Sequence, residues 1–232
     1  MKIALIGDLH GNYIATQTLE AELKRHNVDE IWFLGDAVGK GPQNAETCDW
    51  VRANCTLCVG GNWDYGIGGK EFPEDGYFWN QLGPERMEWL RTLPPERDVW
   101  ISGVHFRLFH GRPVTPLISA QTDKEIFAKA FRANDEIYTG IIFADSHRPF
   151  VRTLNDGYAL NSGSVGNSLG VPRAHALIID GELNCLEDAP LTMTILSVPY
   201  DNEAAAQIAR QDVNLPHRES FITEVLTGVY AR

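Results

Sequence analysis

The sequence predicts an α/β fold of mixed character: two packed sheets of parallel and antiparallel strands, flanked by helices. Three observations lead there. Over residues 1–64, short apolar runs alternate with helical patterns, the order that yields parallel strands joined by right-handed crossovers. From about residue 150 the texture changes to short strands separated by turns. The tail then returns to helix.

Ile3–Ile6 is a short apolar run ending at Gly7, a buried strand that stops in a tight loop. Tyr13 to His26 carries Ile14, Leu19 and Leu23 among charged neighbours, a helical spacing. Ile31–Leu34 is a second buried strand, and Gln43–Asn54 a helix with Pro42 suited to its first turn. Thr56–Gly60 is a third strand. Residues 65–82, rich in glycine and aromatics, read as a long excursion, a flap over the strand ends. Pro84–Leu93 is a short helix between prolines. Asp98–Ser102 and His105–Phe109 form a hairpin around Gly103. Thr122-Asp123-Lys124-Glu125 is a capping box opening a helix to about Ala133. Ile137–Phe143 is another buried strand. Phe150–Thr153, Tyr158–Leu160, Ala174–Ile179 and Thr192–Ser197 are short strands, with a Gly-rich turn at Asn161–Gly166. Helices at Asn202–Gln211 and Glu219–Thr227 complete the chain. The reading is one domain over 1–232, with the excursion at 65–82 and a helical C-terminal extension at about 198–232.

A chain of 232 residues, 44% apolar and 22% charged, can bury a sizeable core. Its net charge of −11 argues against a nucleic-acid duplex or an anionic membrane surface as partner. No apolar stretch approaches the roughly 18 residues of a membrane span, and Asp8 interrupts the opening run too early for a signal peptide. Four cysteines make no disulfide framework in a chain of this length. Cys55 and Cys58, placed on a strand, would face opposite sides and not chelate together. A reducing cytoplasm fits this usage, and a homo-oligomer stays open.

Function enters through the residues at the strand ends. Asp8/His10, Asp36, Asn62, His110 and Asp145/His147 stand just after five apolar runs. On a near-extended backbone Asp8 and His10 point the same way. Sites in open α/β sheets form beyond the carboxyl ends of strands, so the five loops can meet at one rim. Imidazole, carboxylate and amide ligands suit borderline cations better than Ca²⁺. A carboxylate such as Asp36 can bridge two ions about 3.5–4 Å apart, which activate a water and clamp an in-line phosphoryl displacement. Two divalent cations are expected, Mn²⁺ favoured over Fe²⁺, Zn²⁺ or Ni²⁺. The implied partner is a small phosphorylated molecule, with a nucleotide among the candidates.

The order D-x-H (Asp8, His10), G-D-x-x-G (Gly35 to Gly39), G-N-x-D (Gly61 to Asp64), H-G (His110, Gly111) and S-H-R-P (Ser146 to Pro149) resembles the calcineurin-like metallophosphoesterases. Asn161–Gly166 is similar to the N-P-G-S-V-G of the small bacterial phosphodiesterase branch. The resemblance implies a metallophosphoesterase-like sandwich that hydrolyses phosphodiester or phosphoanhydride bonds with metal-activated water. It implies that Asp8, His10 and His147 hold one metal, that Asp36 bridges, and that Asn62 and His110 hold the second. Asn12 and Asn62 are implied near the phosphate.

Two departures matter. Asp145 stands where the family's G-H-x-H has a second-metal histidine; a carboxylate can still ligate. Trp63 replaces the histidine that protonates the leaving group, which leaves Asp64, acting through water, as the candidate catalytic acid. Losing a general acid costs about 10²–10⁴-fold and favours acidic leaving groups. Arg112, Arg148, Arg173 and Lys40 are candidates for phosphate contact. Gly39-Lys40 replaces the Asp-Arg of protein serine/threonine phosphatases, which speaks against a phosphoprotein substrate. His26, His105, His175 and His217 read as structural, and Phe72, Tyr77, Phe78 and Trp79 as core or dimer packing ahead of a base-stacking group. The alternatives are a dinucleoside polyphosphate hydrolase and a non-catalytic metal-binding scaffold of the same fold.

Overall fold

The computed structural model describes residues 1–231. It orders them as β1 (Lys2–Ile6), α1 (Tyr13–Arg25), β2 (Glu30–Leu34), α2 (Asn44–Asn54), β3 (Leu57–Val59), α3 (Asn62–Gly69) and α4 (Gly76–Arg91). Then come β4 (Glu96–Ile101), β5 (Val104–Phe109), α5 (Lys124–Ala130), β6 (Arg132–Ala133), β7 (Glu136–Ile137) and β8 (Gly140–Phe143). The last are β9 (Phe150–Leu154), β10 (Gly157–Asn161), β11 (Ala174–Asp180), β12 (Thr192–Val198), α6 (Asn202–Gln211) and α7 (Arg218–Thr227).

Two five-stranded sheets form, in the orders β12-β11-β1-β2-β3 and β4-β5-β8-β10-β9. Strands β1, β2 and β3 run parallel, as do β5, β8 and β10, while β11, β12, β4 and β9 pair antiparallel. Alternation along each strand decides the layers. In β1, Ile3 and Leu5 face the second sheet, where they meet Ile101, Phe106, Leu108, Ile142 and Leu160. Ala4 and Ile6 face the helices, among Leu19 and Leu23 of α1, Val51 of α2 and Phe221 of α7. The far face of the second sheet is covered by Phe127 and Ala130 of α5. Both faces of both central strands are therefore buried, which is why their runs read as continuously apolar.

The excursion at 65–82 is mostly helix. Gly68 of α3 serves close packing, since a Cβ there would lie 2.8 Å from the Met87 carbonyl of α4. Gly83, at φ 68°, breaks α4 into two segments, and Pro84 starts the second, as the sequence predicts. The capping box at Thr122 does not form. Thr122 Oγ1 instead accepts from the Ser119 amide, and the helix ends at Ala130 because Arg132–Ala133 pairs with Glu136–Ile137 around the left-handed Asn134-Asp135 turn. The Cys55–Cys58 geometry also differs. The strand begins only at Leu57, Cys55 caps α2, and the two thiols share a hydrogen bond. Burial raises the Cys55 thiol, while the hydrogen bond from Cys55 lowers that of Cys58.

His175 on β11 is structural, as the sequence suggests. Its ring lies between Ser168 Oγ at 2.9 Å and Ser197 Oγ at 3.2 Å, and burial lowers its pKa to about 4. It is neutral in the fold, whereas in the unfolded chain it takes a proton near pH 6.5. The folded pKa is the lower one, so protons favour the unfolded state as pH falls from about 6.5 to 4. Stability measured by urea unfolding is expected to fall by up to about 3 kcal/mol across that window, and His175→Asn to flatten the slope there.

Candidate metal centre

The rim is built by loops that hold each other. After β1, the amides of Asp8 and Leu9 donate to the carbonyls of Gly35 and Asp36 in the loop after β2, at 2.9 and 2.8 Å. The Ala144 amide after β8 donates to the His110 carbonyl after β5 at 2.8 Å. The Gly-rich turn after β10 closes the ring, with Val165 and Gly166 donating to the carbonyls of Gly7 and Asp8. Gly35, at φ 96°, admits no side chain, because a Cβ would lie 2.6 Å from His110 Nδ1.

The backbone here is not extended. Asp8 (φ 53°), His10 (46°), Asp36 (61°), Asp145 (61°) and His147 (57°) all occupy the left-handed region. Asp8 and His10 thus converge by a tight turn and not by strand alternation. Such conformations cost of order 1–3 kcal/mol each and persist where the surroundings impose them.

Three imidazoles meet at the centre with the same orientation. His10 Nδ1 lies 3.1 Å from the Val38 carbonyl, His110 Nδ1 2.6 Å from that of Leu34, and His147 Nδ1 2.6 Å from that of Asn167. A carbonyl only accepts, so each Nδ1 carries a proton and each Nε2 is left facing inward as the ligand atom. His10 Nε2 and His147 Nε2 face each other at 3.2 Å. Asp8 Oδ1 stands 3.6 Å from His10, 3.3 Å from His147 and 3.8 Å from His110, while Asp36 Oδ2 stands 3.7 Å from His10 and 3.3 Å from His110. Two sets fit a cation, Asp8/His10/His147 and Asp8/Asp36/His110, with ligand atoms within 4.8 Å of one another. Asp8 is common to both, so it joins Asp36 between the two sets.

The donor chemistry fits metal. Asp8 Oδ1, His110 Nε2 and Asn62 Oδ1 are buried with no hydrogen-bond partner, and apposed imidazole lone pairs repel unless a cation lies between them. The charges agree. Burial lowers the His10 pKa to about 4, with Lys40 adding to it, so the ring is a neutral ligand. Burial opposes ionisation of Asp8 and Asp36, yet the surrounding imidazoles hold both below the usual carboxylate range. Burial likewise opposes protonation of His110, but Asp36, Asp8 and Asp145 raise it well above an ordinary histidine, so without a cation its Nε2 also holds a proton, whose place a bound metal would take.

Not every expected residue reaches the rim. Asn12 caps α1, with Oδ1 accepting from the Ala15 amide and Nδ2 donating to the Gly166 carbonyl and Tyr200 hydroxyl. It is 1% exposed, so its amide is spent on the fold and not on a phosphate. Asp64 is buried behind the rim, accepting from the amides of Asp36, Ala37 and Gly61 at 2.7, 2.9 and 3.0 Å. Burial and the Asp36 charge push its pKa up to about 7. Three N–H groups aimed at its two oxygens favour the carboxylate, so Asp64 braces the two metal-side loops and has no reach to a leaving group. Asp145 belongs to neither ligand set. Its Oδ1 meets the Arg112 guanidinium at 2.6 Å, and its Oδ2 the Arg112 amide at 3.0 Å.

A cavity of about 820 Å³ opens above the centre, lined by Asp36, Asn62, Asp145 and His147, and by Lys40, Arg112 and Arg148. Arg173 is not among its lining residues, whereas His217, read as structural, is. Trp63 also lines it, edge-on to His10 at 5.7 Å between ring centroids. Lys40 is 6% exposed, donates to Asn167 Oδ1 at 2.7 Å, and pairs with the fully buried Glu224 of α7 at 3.7 Å. Neither Asn167 nor Glu224 was legible: a glutamate in a helical pattern carries no mark of burial.

A family model for the calcineurin-like phosphoesterase superfamily domain matches residues 1–182. The chain belongs to the calcineurin-like phosphoesterase superfamily. Members of this superfamily are metal-dependent, which agrees with the two ligand sets. A metallophosphoesterase from Sphaerobacter thermophilus has a similar structure, with a TM-score of 0.76, 26% identity and 99% of each chain covered. A Methanocaldococcus jannaschii protein without an assigned function is 28% identical over 231 residues, 88% of this chain and 89% of its own. A symmetrical bis(5'-nucleosyl)-tetraphosphatase from Erwinia tasmaniensis is 40% identical over 67 residues, 28% of this chain and 24% of its own. No helix among the described residues of this superfamily member is long and apolar enough to cross a membrane.

Proposed function

We propose that this superfamily member hydrolyses phosphodiester bonds, using two divalent cations held by Asp8, His10, Asp36, Asn62, His110 and His147. The observation that carries this reading is the pair of ligand sets sharing Asp8 beneath a substrate-sized cavity. Bound there, two such ions supply Lewis acidity and a water of lowered pKa for in-line displacement. The protein's part is to fix the three imidazoles through their Nδ1 bonds and to offer positive charge to the phosphate from Arg112 and Arg148. Trp63 provides no titratable proton at the mouth of the centre, and Asp64 is locked to amides. The leaving group therefore departs as its own anion, which selects esters of acidic alcohols. Four free cysteines suit the cytoplasm as the working compartment.

Bis-(p-nitrophenyl) phosphate tests the proposal. Turnover is expected with Mn²⁺ and is abolished by chelation. No turnover with any of Mn²⁺, Fe²⁺, Zn²⁺, Co²⁺ or Ni²⁺ would leave a non-catalytic scaffold as the reading. The alternative reading, favoured by the partial similarity to symmetrical tetraphosphatases, is a dinucleoside polyphosphate hydrolase, which a parallel assay on diadenosine tetraphosphate separates.

A further inference from the structure

Three large apolar side chains line the cavity while remaining half exposed: Phe72 (52%), Leu117 (50%) and Tyr230 (58%). They come from separate segments. Phe72 precedes the short turn Pro73–Asp75, Leu117 lies between β5 and α5, and Tyr230 lies beyond the end of α7. At the floor of the same cavity, Asp36 and His147 are only 2% and 6% exposed, so the apolar trio forms the mouth. Tyr77, Phe78 and Trp79, next to Phe72 in sequence, pack against the helical core instead. Apolar surface gathered from three segments onto one opening is a mark of a binding site.

Volume and charge narrow the ligand. About 820 Å³ is within the range of cavities that enclose molecules much larger than a phosphate. Lys40 is held by Glu224 and Asn167, so Arg148 and the half-exposed Arg112 account for one phosphoryl group. At the mouth, Glu74 and Asp75 share the lining with Phe72. The Glu74 carboxylate opposes any further phosphate leading outward, yet can accept hydrogen bonds from the N–H groups of a base.

We propose that the mouth formed by Phe72, Leu117 and Tyr230 is a nucleoside subsite, so that the substrate is a nucleoside diester with a single phosphate. This rests on the phosphoesterase reading of the same site. The base stacks on Phe72 and Tyr230, the sugar lies against Leu117, and the phosphate reaches the floor. A polyphosphate chain would cross the acidic turn and is disfavoured.

The test keeps the leaving group constant and varies the retained alcohol, with p-nitrophenyl esters of thymidine 5'-phosphate and of methyl phosphate. For the Mn²⁺-loaded wild type, kcat/KM on the thymidine ester is expected to exceed that on the methyl ester about tenfold or more. Phe72→Ala and Tyr230→Ala are each expected to lower it about tenfold on the thymidine ester, through KM, and to leave the methyl ester within about twofold. Both residues are exposed, so neither change threatens folding. Calorimetric binding provides a readout that needs no turnover: thymidine 5'-monophosphate should weaken in both variants while inorganic phosphate does not. Equal nucleotide binding in wild type and variants, or equal losses on both esters, overturns the subsite. Faster hydrolysis of diadenosine tetraphosphate than of the thymidine ester overturns the single-phosphate claim. A wild type that hydrolyses neither ester counts against the phosphoesterase reading, and the binding comparison still decides the subsite.

Discussion

Replacing Asp36 by Asn is expected to lower kcat on bis-(p-nitrophenyl) phosphate by about 10³-fold while leaving the chain folded. The carboxylate Oδ2 stands 3.7 Å from His10 and 3.3 Å from His110, between the two ligand sets. An amide in its place is neutral and a poor ligand. Electrostatic stabilisation by bound metal is worth several kcal/mol, and each 1.4 kcal/mol is about tenfold in rate. Folding should survive because Asn retains an acceptor for the Trp63 amide, which now donates to Asp36 Oδ1 at 2.9 Å. A buried negative charge is also removed. The metal-free variant is nonetheless expected to melt below the wild-type temperature, because the imidazoles that hold Asp36 below the usual carboxylate range lose their counter-charge. Activity within about tenfold of wild type at saturating Mn²⁺ would remove Asp36 from the metal site.

Whether a feature is legible in the sequence depends on whether it is local. The strands of both sheets were legible because each is a short apolar run stopped by glycine or a ligand loop, and parallel order came from the helices between them. Hairpin β4–β5 was legible through Gly103. The helix expected at Thr122 to Ala133 was overestimated because two downstream residues pair with Glu136 and Ile137, a preference no propensity reveals. Asp8 and His10 were correctly brought together for the wrong geometric reason, since strand spacing stands in poorly for two left-handed residues in one loop. Asn12 and Asp64 show the limit most plainly. Each is a polar residue in a ligand loop, and sequence cannot tell whether its atoms face the cavity or satisfy the loop's own amides. The unfavourable placement of Asp145 has the same origin, because its partner Arg112 lies 33 positions away.

Lys40→Met is expected to destabilise the chain by about 3–5 kcal/mol, the usual cost of removing one partner from a buried ion pair. Lys40 is 6% exposed and Glu224 is 0% exposed, so neither charge has water to fall back on. Removing the lysine takes the 3.7 Å cation from Glu224 and the 2.7 Å donor from Asn167. At roughly 2–4 °C per kcal/mol for a chain of this size, Tm should fall by about 10 °C. The pair Lys24–Glu20 on α1 is the control: with Lys24 73% exposed, Lys24→Met should change stability by less than about 0.5 kcal/mol. Removing both charges distinguishes an ion-pair effect from lost packing. Lys40→Met combined with Glu224→Leu leaves no buried charge, and exchanging a whole buried pair for apolar groups is often neutral. The double variant should therefore regain most of the lost stability in urea unfolding. Single variants that lose little, or losses that simply add in the double variant, would show that α7 is held to the rim by its apolar face alone. If the double variant recovers, the extension is anchored by charge to Asn167, whose carbonyl orients His147. The C-terminal helices then help to hold a ligand of the centre in place, although none of the expected metal ligands lies within them.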